Sequence, residues 1–216
     1  VLGRLLAEAP ADRRAVVAVD GPGASGKSTV TALLAARVTG RPVIVLHADD
    51  FLHPPHVRHA RGRHSPEGFW LDAYDYAAFT TDALAPLRPG GDGLVRTTAV
   101  GGAPDRASRP DRLQAALDAL VLVDGTFLHR DELVGLWDWS VYLDVPLDVA
   151  GARMALRDGL AGDEARRLLA RYSGAQRLYL AASRPWERAC VVVDTSDLDS
   201  PHVIDPRDAH AAADVV

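Results

Sequence analysis

Between Gly21 and Ser28 the chain reads Gly-Pro-Gly-Ala-Ser-Gly-Lys-Ser, a fit to the pattern G-x-x-x-x-G-K-[ST]. Each residue type has a chemical task. Glycines let successive backbone N–H groups curl around phosphate oxygens, and a helix that begins where the loop ends adds its partial positive charge. The Lys27 ammonium can reach the outer phosphates of a nucleotide, and the Ser28 hydroxyl can take a coordination position on Mg²⁺. Gly21, Gly23, Ala24, Ser25, Gly26, Lys27, Ser28 and Thr29 are therefore the candidate nucleotide-binding residues, with ATP or GTP and Mg²⁺ as the implied cofactors.

Carboxylates and arginines complete the set. Asp49-Asp50 follows the apolar run VIVLHA (43–48), and Asp124 follows Leu120-Val121-Leu122-Val123, with Gly125 just behind. Buried parallel strands of a doubly wound sheet end at the ligand crevice, so acids at those tips are placed for chemistry. Asp124 has the form of a Walker-B carboxylate, holding the metal directly or through water together with Ser28. Asp49 is the candidate for the carboxylate near an incoming hydroxyl. Arg153 and Arg157 lie four apart on one predicted helix face, where a lid would bring their charge to the transferred group. Phosphoryl transfer to an alcohol needs this combination of held nucleotide, bridging metal, carboxylate and positive charge. A nucleotide switch or regulatory ATPase shares the loop but needs a residue that positions hydrolytic water, so the Asp-Asp pair and the arginines favour transfer to a bound acceptor.

A scaffold must bring these strand tips together. Val16, Val17 and Val19 form a strand into the loop, and Val30, Leu33, Leu34 and Val38 have helical spacing over Thr29–Val38, with Gly40 as the stop. Further along, the spacing predicts a helix over Ala73–Leu87, a short helix over Arg112–Ala119 and a strand over Ser140–Asp144. A helix opened by Pro146 and running through Leu156, a helix over Asp163–Ala182 and a strand over Cys190–Asp194 follow. That order predicts an α/β P-loop NTPase fold in one domain, with a five-stranded parallel sheet flanked by helices and a small lid at 153–171. Residues 51–70 and 90–111 read as substrate-side excursions. The first is loop-like, and its His53, His56, His59 and His64 fit a partly basic cleft wall better than a metal site, since no cysteine or clear fourth ligand accompanies them. The second holds at most a small hairpin around LVRTTAV. A short amphipathic helix precedes the first strand, and an acidic, proline-containing tail follows the last.

Composition sets outer limits. At 216 residues the chain suits one hydrophobic core, and a formal charge of −5 from 24 basic and 29 acidic residues offers nucleic acid no general attraction. The one cysteine, Cys190 in the run CVVV, reads as a buried inert thiol. No run approaches the length of a membrane span and no signal-peptide pattern opens the chain, so a soluble cytoplasmic protein is expected, acting on a small molecule and compatible with a homo-oligomer.

From about residue 15 to residue 195 the motifs also carry a resemblance. The P-loop, His47-Ala48-Asp49-Asp50-Phe51, Tyr74-Asp75, Val123-Asp124-Gly125 and the arginine-bearing helix together resemble the uridine kinase family and its relatives, the nicotinamide riboside, phosphoribulo- and pantothenate kinases. Pro66-Glu67-Gly68-Phe69-Trp70 and Gln176-Arg177-Leu178-Tyr179-Leu180 look most like bacterial uridine kinase-like proteins. The resemblance implies transfer of the γ-phosphoryl group to the 5′-hydroxyl of a uridine- or cytidine-like ribonucleoside, with Asp49 as the base. It implies Asp75 as acceptor for the ribose 2′- and 3′-hydroxyls with Tyr74 beside it, Arg153 and Arg157 as lid arginines, and Arg177 as a basic substrate contact. Established uridine kinases read the pyrimidine with an aromatic and a histidine that Val95–Pro110 here lack; His56, His59, Phe69 or Trp70 are candidate replacements. Another small alcohol, such as pantothenate, a sugar or a natural-product intermediate, is the alternative acceptor.

Overall fold

The computed structural model describes residues 1–99 and 111–214. Most of the 95–110 stretch therefore lies outside the described residues, and with it the expected pyrimidine-facing region. Five parallel strands form the centre: β1 (Ala15–Asp20), β2 (Val43–His47), β5 (Leu120–Gly125), β6 (Trp139–Asp144) and β7 (Val191–Asp194). Their order is β2-β5-β1-β6-β7, and a sixth strand, β8 (His202–Ile204), adds antiparallel to β7 at the edge. The parallel sheet matches expectation; the antiparallel edge strand does not, because three residues of a polar tail carry too little periodicity to be read as a strand.

Alternation along each strand divides the core in two. Ala15, Val17 and Val19 of β1 face one layer with Leu34, Trp139 and Val141, whereas Val16 and Ala18 face the other with Phe51, Phe79, Phe127 and Tyr179. The first layer is covered by α1 (Leu2–Glu8) and α2 (Lys27–Arg37). Every residue of β1, β5 and β6 is buried, as continuous apolar runs require when helices cover both faces.

Three helical segments lie where the sequence reads as loop. A 3-10 turn at Ala48–Phe51, α3 (Pro55–Arg58) and α4 (Pro66–Asp72) fill the first excursion. Ser65 caps α4, its Oγ accepting from Gly68 N at 3.0 Å, and α4 packs on the long helix α7 (Gly162–Ser183). Prolines and histidines hide such short helices, whose stability comes from tertiary packing rather than propensity. The helix expected from Ala73 begins later, as α5 (Tyr76–Ala78), widens into a π turn over Phe79–Leu84 and closes in a 3-10 turn at Ala85–Leu87.

Residues 112–114, expected to open a helix, instead form β4 (Arg112–Gln114), antiparallel to β3 (Leu94–Arg96), with Val95 opposite Leu113. The hairpin is thus longer in sequence than the local pattern shows. After β6 come α6 (Leu147–Asp158), then α7, and α8 (Pro185–Arg188). The tail ends in α9 (His210–Ala213), pinned because the buried Asp144 carboxylate accepts from His210 N at 2.7 Å and Ala211 N at 3.0 Å. Cys190 is exposed, contrary to the buried reading: it precedes the first residue of β7 rather than belonging to the strand. Among the described residues no helix is long and apolar enough to cross a membrane.

Candidate active site

Parallel register brings the acids to one edge. Val19 pairs with Asp124 and His47 also pairs with Asp124, so the tips of β1, β5 and β2 end level, and the P-loop, Asp124 and Asp49 leave the sheet together. Gly26 stands in the left-handed region (φ 91°) and serves as the residue before α2, which turns the loop into the helix axis. A Cβ at Gly21 would come within 2.7 Å of Leu143 O, so the loop can approach β6 only as glycine. Lys27 Nζ donates to Gly21 O at 2.8 Å and Pro22 O at 2.7 Å. Burial lowers the pKa of its ammonium, opposed by the charges of Asp49, Asp20 and Asp124, in that order.

Beneath the loop lies a network the motif does not advertise. Asp20, fully buried at the end of β1, accepts from Gly21 N at 2.7 Å through Oδ1. Its Oδ2 accepts from the Tyr179 hydroxyl and from His129 N at 3.2 Å, and stands 2.7 Å from His129 Nδ1. His129 Nε2 in turn meets Ser140 Oγ at 2.9 Å. Burial alone would raise the Asp20 pKa, but His129, Tyr179 and the Lys27 charge outweigh it and hold the carboxyl below its ordinary range. Neither His129 nor Ser140 is exposed, so this chain anchors the P-loop rather than meeting a ligand.

Asp49 is positioned from outside its own segment. The Tyr74 hydroxyl donates to Asp49 Oδ1 at 2.8 Å. Burial, then the neighbouring Asp49 charge, raises the Tyr74 pKa well above the phenol range, so the hydroxyl remains a donor. Backbone bonds from His53 N to Ala73 O and from Asp75 N to Phe51 O, both 2.8 Å, stitch the Tyr74 strand to the turn that carries Asp49.

A cavity of about 710 Å³ opens above these groups, within the range of small-molecule sites. It is lined by Lys27, Ser28 and Thr29 at the start of α2, by Asp49 and Tyr74, by Arg153 and Arg157 of α6, and by Arg171 and Gln176 of α7. Gly23, Ala24 and Gly26 also border it, while Ser25 is buried behind them. Arg153 donates to Thr195 O at 2.9 Å and Ser196 O at 2.6 Å, which holds the turn after β7. Leu198, beyond that turn, borders the cavity next to Gly26. Arg157 forms a two-pronged pair with Asp158 at 2.7 and 2.9 Å. These two arginines stand at the cavity side as their helical spacing predicts, flanked by the turn from α6 to α7 with Gly159 and Gly162 in left-handed conformation.

Mg²⁺ fits the residues present. Asp124 Oδ1 contacts His47 Nδ1 at 2.6 Å, while its Oδ2 is buried without a hydrogen-bond partner, an acceptor suited to a cation or its water. Ser28 is exposed on the cavity wall. Among the described residues no group of three ligating side chains exists.

Three expected substrate contacts stand elsewhere. Trp70 points away from the cavity into an aromatic cluster, its ring 5.0 Å from Phe127 and 5.6 Å from Tyr179, with Arg130 stacked 4.3 Å over it. Its neighbour Phe69 borders the cavity instead. Asp75 Oδ1 accepts from Ala78 N at 2.8 Å as the N-cap of α5 and is not on the cavity wall. Arg177 is exposed on the outer face of α7, where its charge acts on Asp214. One residue earlier, Gln176 faces inward, donating to Thr126 Oγ1 at 2.6 Å and leaving Oε1 buried without a partner. A step of one residue turns a helix by about 100°, so the motif around 176–180 located the turn but not its inward side chain. Tyr172 and Arg171 share that inward face with Gln176, a spacing of four and five.

The structure with this geometry is similar to a possible uridine kinase from Bacillus stearothermophilus, with TM-score 0.67, 22% identity, and coverage of 88% of this chain and 94% of that one. It is also similar to a candidate fructose transport system kinase from Silicibacter sp. TM1040, with TM-score 0.65, 24% identity, and 84% and 93% coverage. The fold is the P-loop NTPase fold, a mostly parallel sheet flanked by helices. A D-glycerate 3-kinase from Cryptococcus neoformans shares it at TM-score 0.55 and 14% identity, over 94% of this chain and 95% of that one. No protein-family profile matches the chain, and no curated protein sequence does.

Proposed function

We propose that this protein transfers the γ-phosphoryl group of ATP or GTP to a hydroxyl of a small molecule. The observation that carries the reading is the position of Asp49: its carboxylate lines the same cavity as Lys27 and Ser28 and is held by the Tyr74 hydroxyl at 2.8 Å. A carboxylate so placed accepts the proton of an acceptor hydroxyl as that oxygen bonds to phosphorus and the bond to the nucleotide diphosphate breaks. Lys27 carries charge to the phosphates, and Arg157, on the facing side, adds charge over the transferred group. Ser28 and Asp124 would hold Mg²⁺, which when bound neutralises phosphate charge.

The 5′-hydroxyl of a ribonucleoside is the acceptor that the motif resemblance points to. Phe69 and Tyr172, with ring centroids 5.0 Å apart, offer aromatic surface on the acceptor side. Trp70, Asp75 and Arg177 are left out of the contact set by their positions. A carboxylated or phosphorylated alcohol is the second reading, favoured by Arg171. The test is to incubate the protein with Mg-ATP or Mg-GTP and a panel of nucleosides, pantothenate, sugars and hydroxy acids, and to identify the product by mass. A phosphomonoester formed only with an acceptor present is expected. Nucleotide hydrolysis indifferent to every acceptor would favour a regulatory ATPase and defeat the proposal.

A further inference from the structure

Three arginines are buried among the described residues: Arg14, Arg130 and Arg171. Arg14 donates to the carbonyls of Gly91, Ala115 and Ala116, and Arg130 pairs with Glu132 at 2.8 Å. Arg171 has neither kind of partner. It is 6% exposed, its Nε is buried without a hydrogen bond, and its guanidinium rests 4.7 Å over the Phe69 ring with no acid or carbonyl in reach among the described residues. Arg58 of α3 lines the same cavity, and its Nε is likewise buried and unpartnered. Nearby arginines on the same excursion are neutralised: Arg61 pairs with Asp72 at 2.8 Å, and Arg63 lies 3.8 Å from Glu164. Of the four arginines that line the cavity, Arg153 and Arg157 have hydrogen-bond partners, which leaves Arg58 and Arg171 as the bare pair among the described residues.

Burying one guanidinium beside another without an anion is costly, and stacking on Phe69 offsets only part of the cost. The Arg171 pKa is lowered, first by burial and further by the charges of Arg58 and Arg63, while Tyr172 and Tyr74 oppose. A planar guanidinium matches a carboxylate or phosphate through two parallel hydrogen bonds. Arg171 shares α7 with Gln176 and lines the same cavity as Asp49 and its hydrogen-bond partner Tyr74, away from the contiguous P-loop residues in sequence.

We infer that Arg171, with Arg58, binds an oxyanionic group of the acceptor, so that the substrate is a small alcohol bearing a carboxylate or a phosphate at the end remote from its reacting hydroxyl. This rests on the phosphoryl-transfer reading for the hydroxyl, but the anion site stands on its own geometry and is tested separately.

Calorimetric titration of the protein loaded with Mg²⁺ and a non-hydrolysable ATP analogue, using D-glycerate, glycerol 2-phosphate and glycerol as probes, reads the site. The nucleotide analogue fills the P-loop, so any anion bound is additional. Binding of one anion per chain, no binding of glycerol, and at least ten-fold weaker anion binding in Arg171→Gln and Arg58→Ala are expected, with Arg171→Lys intermediate. Preference between the two anions tells carboxylate from phosphate. Anion binding that vanishes once the nucleotide is present would assign Arg171 to the nucleotide's phosphates and overturn the inference. So would equal binding of glycerol, no binding of either anion, or unchanged affinity in Arg171→Gln. Because Arg171 has no hydrogen-bond or ion-pair partner to lose and only its stacking on Phe69 is given up, the Arg171→Gln melting temperature should change little; a fall of more than about 5 °C would make the residue structural and also overturn it. If the anions bind as expected but no acceptor is ever phosphorylated, the kinase reading fails and the anion site remains.

Discussion

The two ends of the cavity are built differently. At the nucleotide end, the working groups come from one continuous stretch, Gly21–Thr29, fastened underneath by Asp20, His129 and Tyr179. At the acceptor end, Asp49, Arg58, Phe69, Tyr74, Arg171 and Gln176 arrive from five separate segments, brought together by packing of α4 against α7 and of α3 against α4. At the first end the Gly21 amide is tied to the Asp20 carboxylate and the Lys27 ammonium to the Gly21 and Pro22 carbonyls. Buried side-chain atoms without partners occur at Ser25 in the loop and, at the second end, at Arg58, Arg171 and Gln176. A chain that invests a shared phosphate cradle in contiguous, rigid backbone and leaves acceptor recognition to side chains from scattered short elements can change acceptors without disturbing the donor site.

That contrast can be broken at either end. The largest effect is expected from Lys27→Ala: phosphoryl transfer should fall by roughly 10³-fold or more, since the charge that meets the developing phosphate charge is gone. Circular dichroism and melting temperature should be unchanged, because Lys27 bonds only carbonyls of its own loop. Next comes Asp49→Asn, which should lower kcat by roughly 10²- to 10⁴-fold while the Kd for the nucleotide analogue moves little. Equal losses in both would return Asp49 to a general electrostatic role.

Stability sharpens the comparison. Asp20→Asn should cost about 3 kcal/mol at pH 7, read by denaturant unfolding, because donors from Gly21, His129 and Tyr179 lose a charged buried acceptor. The Asp20 pKa is held below its ordinary value in the fold, so its contribution is full above the unfolded carboxyl range, about pH 4, and is lost as pH falls through the lower folded value. The difference between wild type and Asp20→Asn should shrink accordingly in acid. At the acceptor end, Gln176→Ala should raise the KM for the acceptor roughly ten-fold and also cost about 1 kcal/mol of stability, since Thr126 Oγ1 loses its buried partner. Smallest are two substitutions outside the cavity. Asp75→Ala should cost about 1 kcal/mol of stability as a lost helix cap with acceptor KM unaltered, and Arg177→Ala should alter neither. A large KM change at Asp75 would restore its expected contact with a ribose diol and redraw the acceptor end.

Legibility follows the same divide. The P-loop, the tips of β2 and β5 and the paired arginines of α6 were readable because a local pattern, a strand period or a helix period, fixes where each side chain stands. Trp70 and Arg177 were placed one residue from the true cavity contacts, Phe69 and Gln176: the motif located the turn of helix, but its phase is set by what α4 and α7 bury against each other. Arg112–Gln114 went to a strand because its partner, Leu94–Arg96, lies across a hairpin whose pairing no local window contains. His129 carried no motif at all, and only the fold shows that it stands beneath Asp20.

By itself, then, the amino-acid order determined a parallel α/β sheet and a phosphate-binding loop, since hydrophobic period and glycine placement act over a few residues and need no distant partner. Tertiary structure alone decided which acids and arginines share a cavity, which of them are left without counter-charges, and which candidate contacts turn into the core. Those outcomes depend on helix phase and on packing between segments more than a hundred residues apart, as when Arg58 and Arg171 face the same space, and no local pattern encodes that meeting.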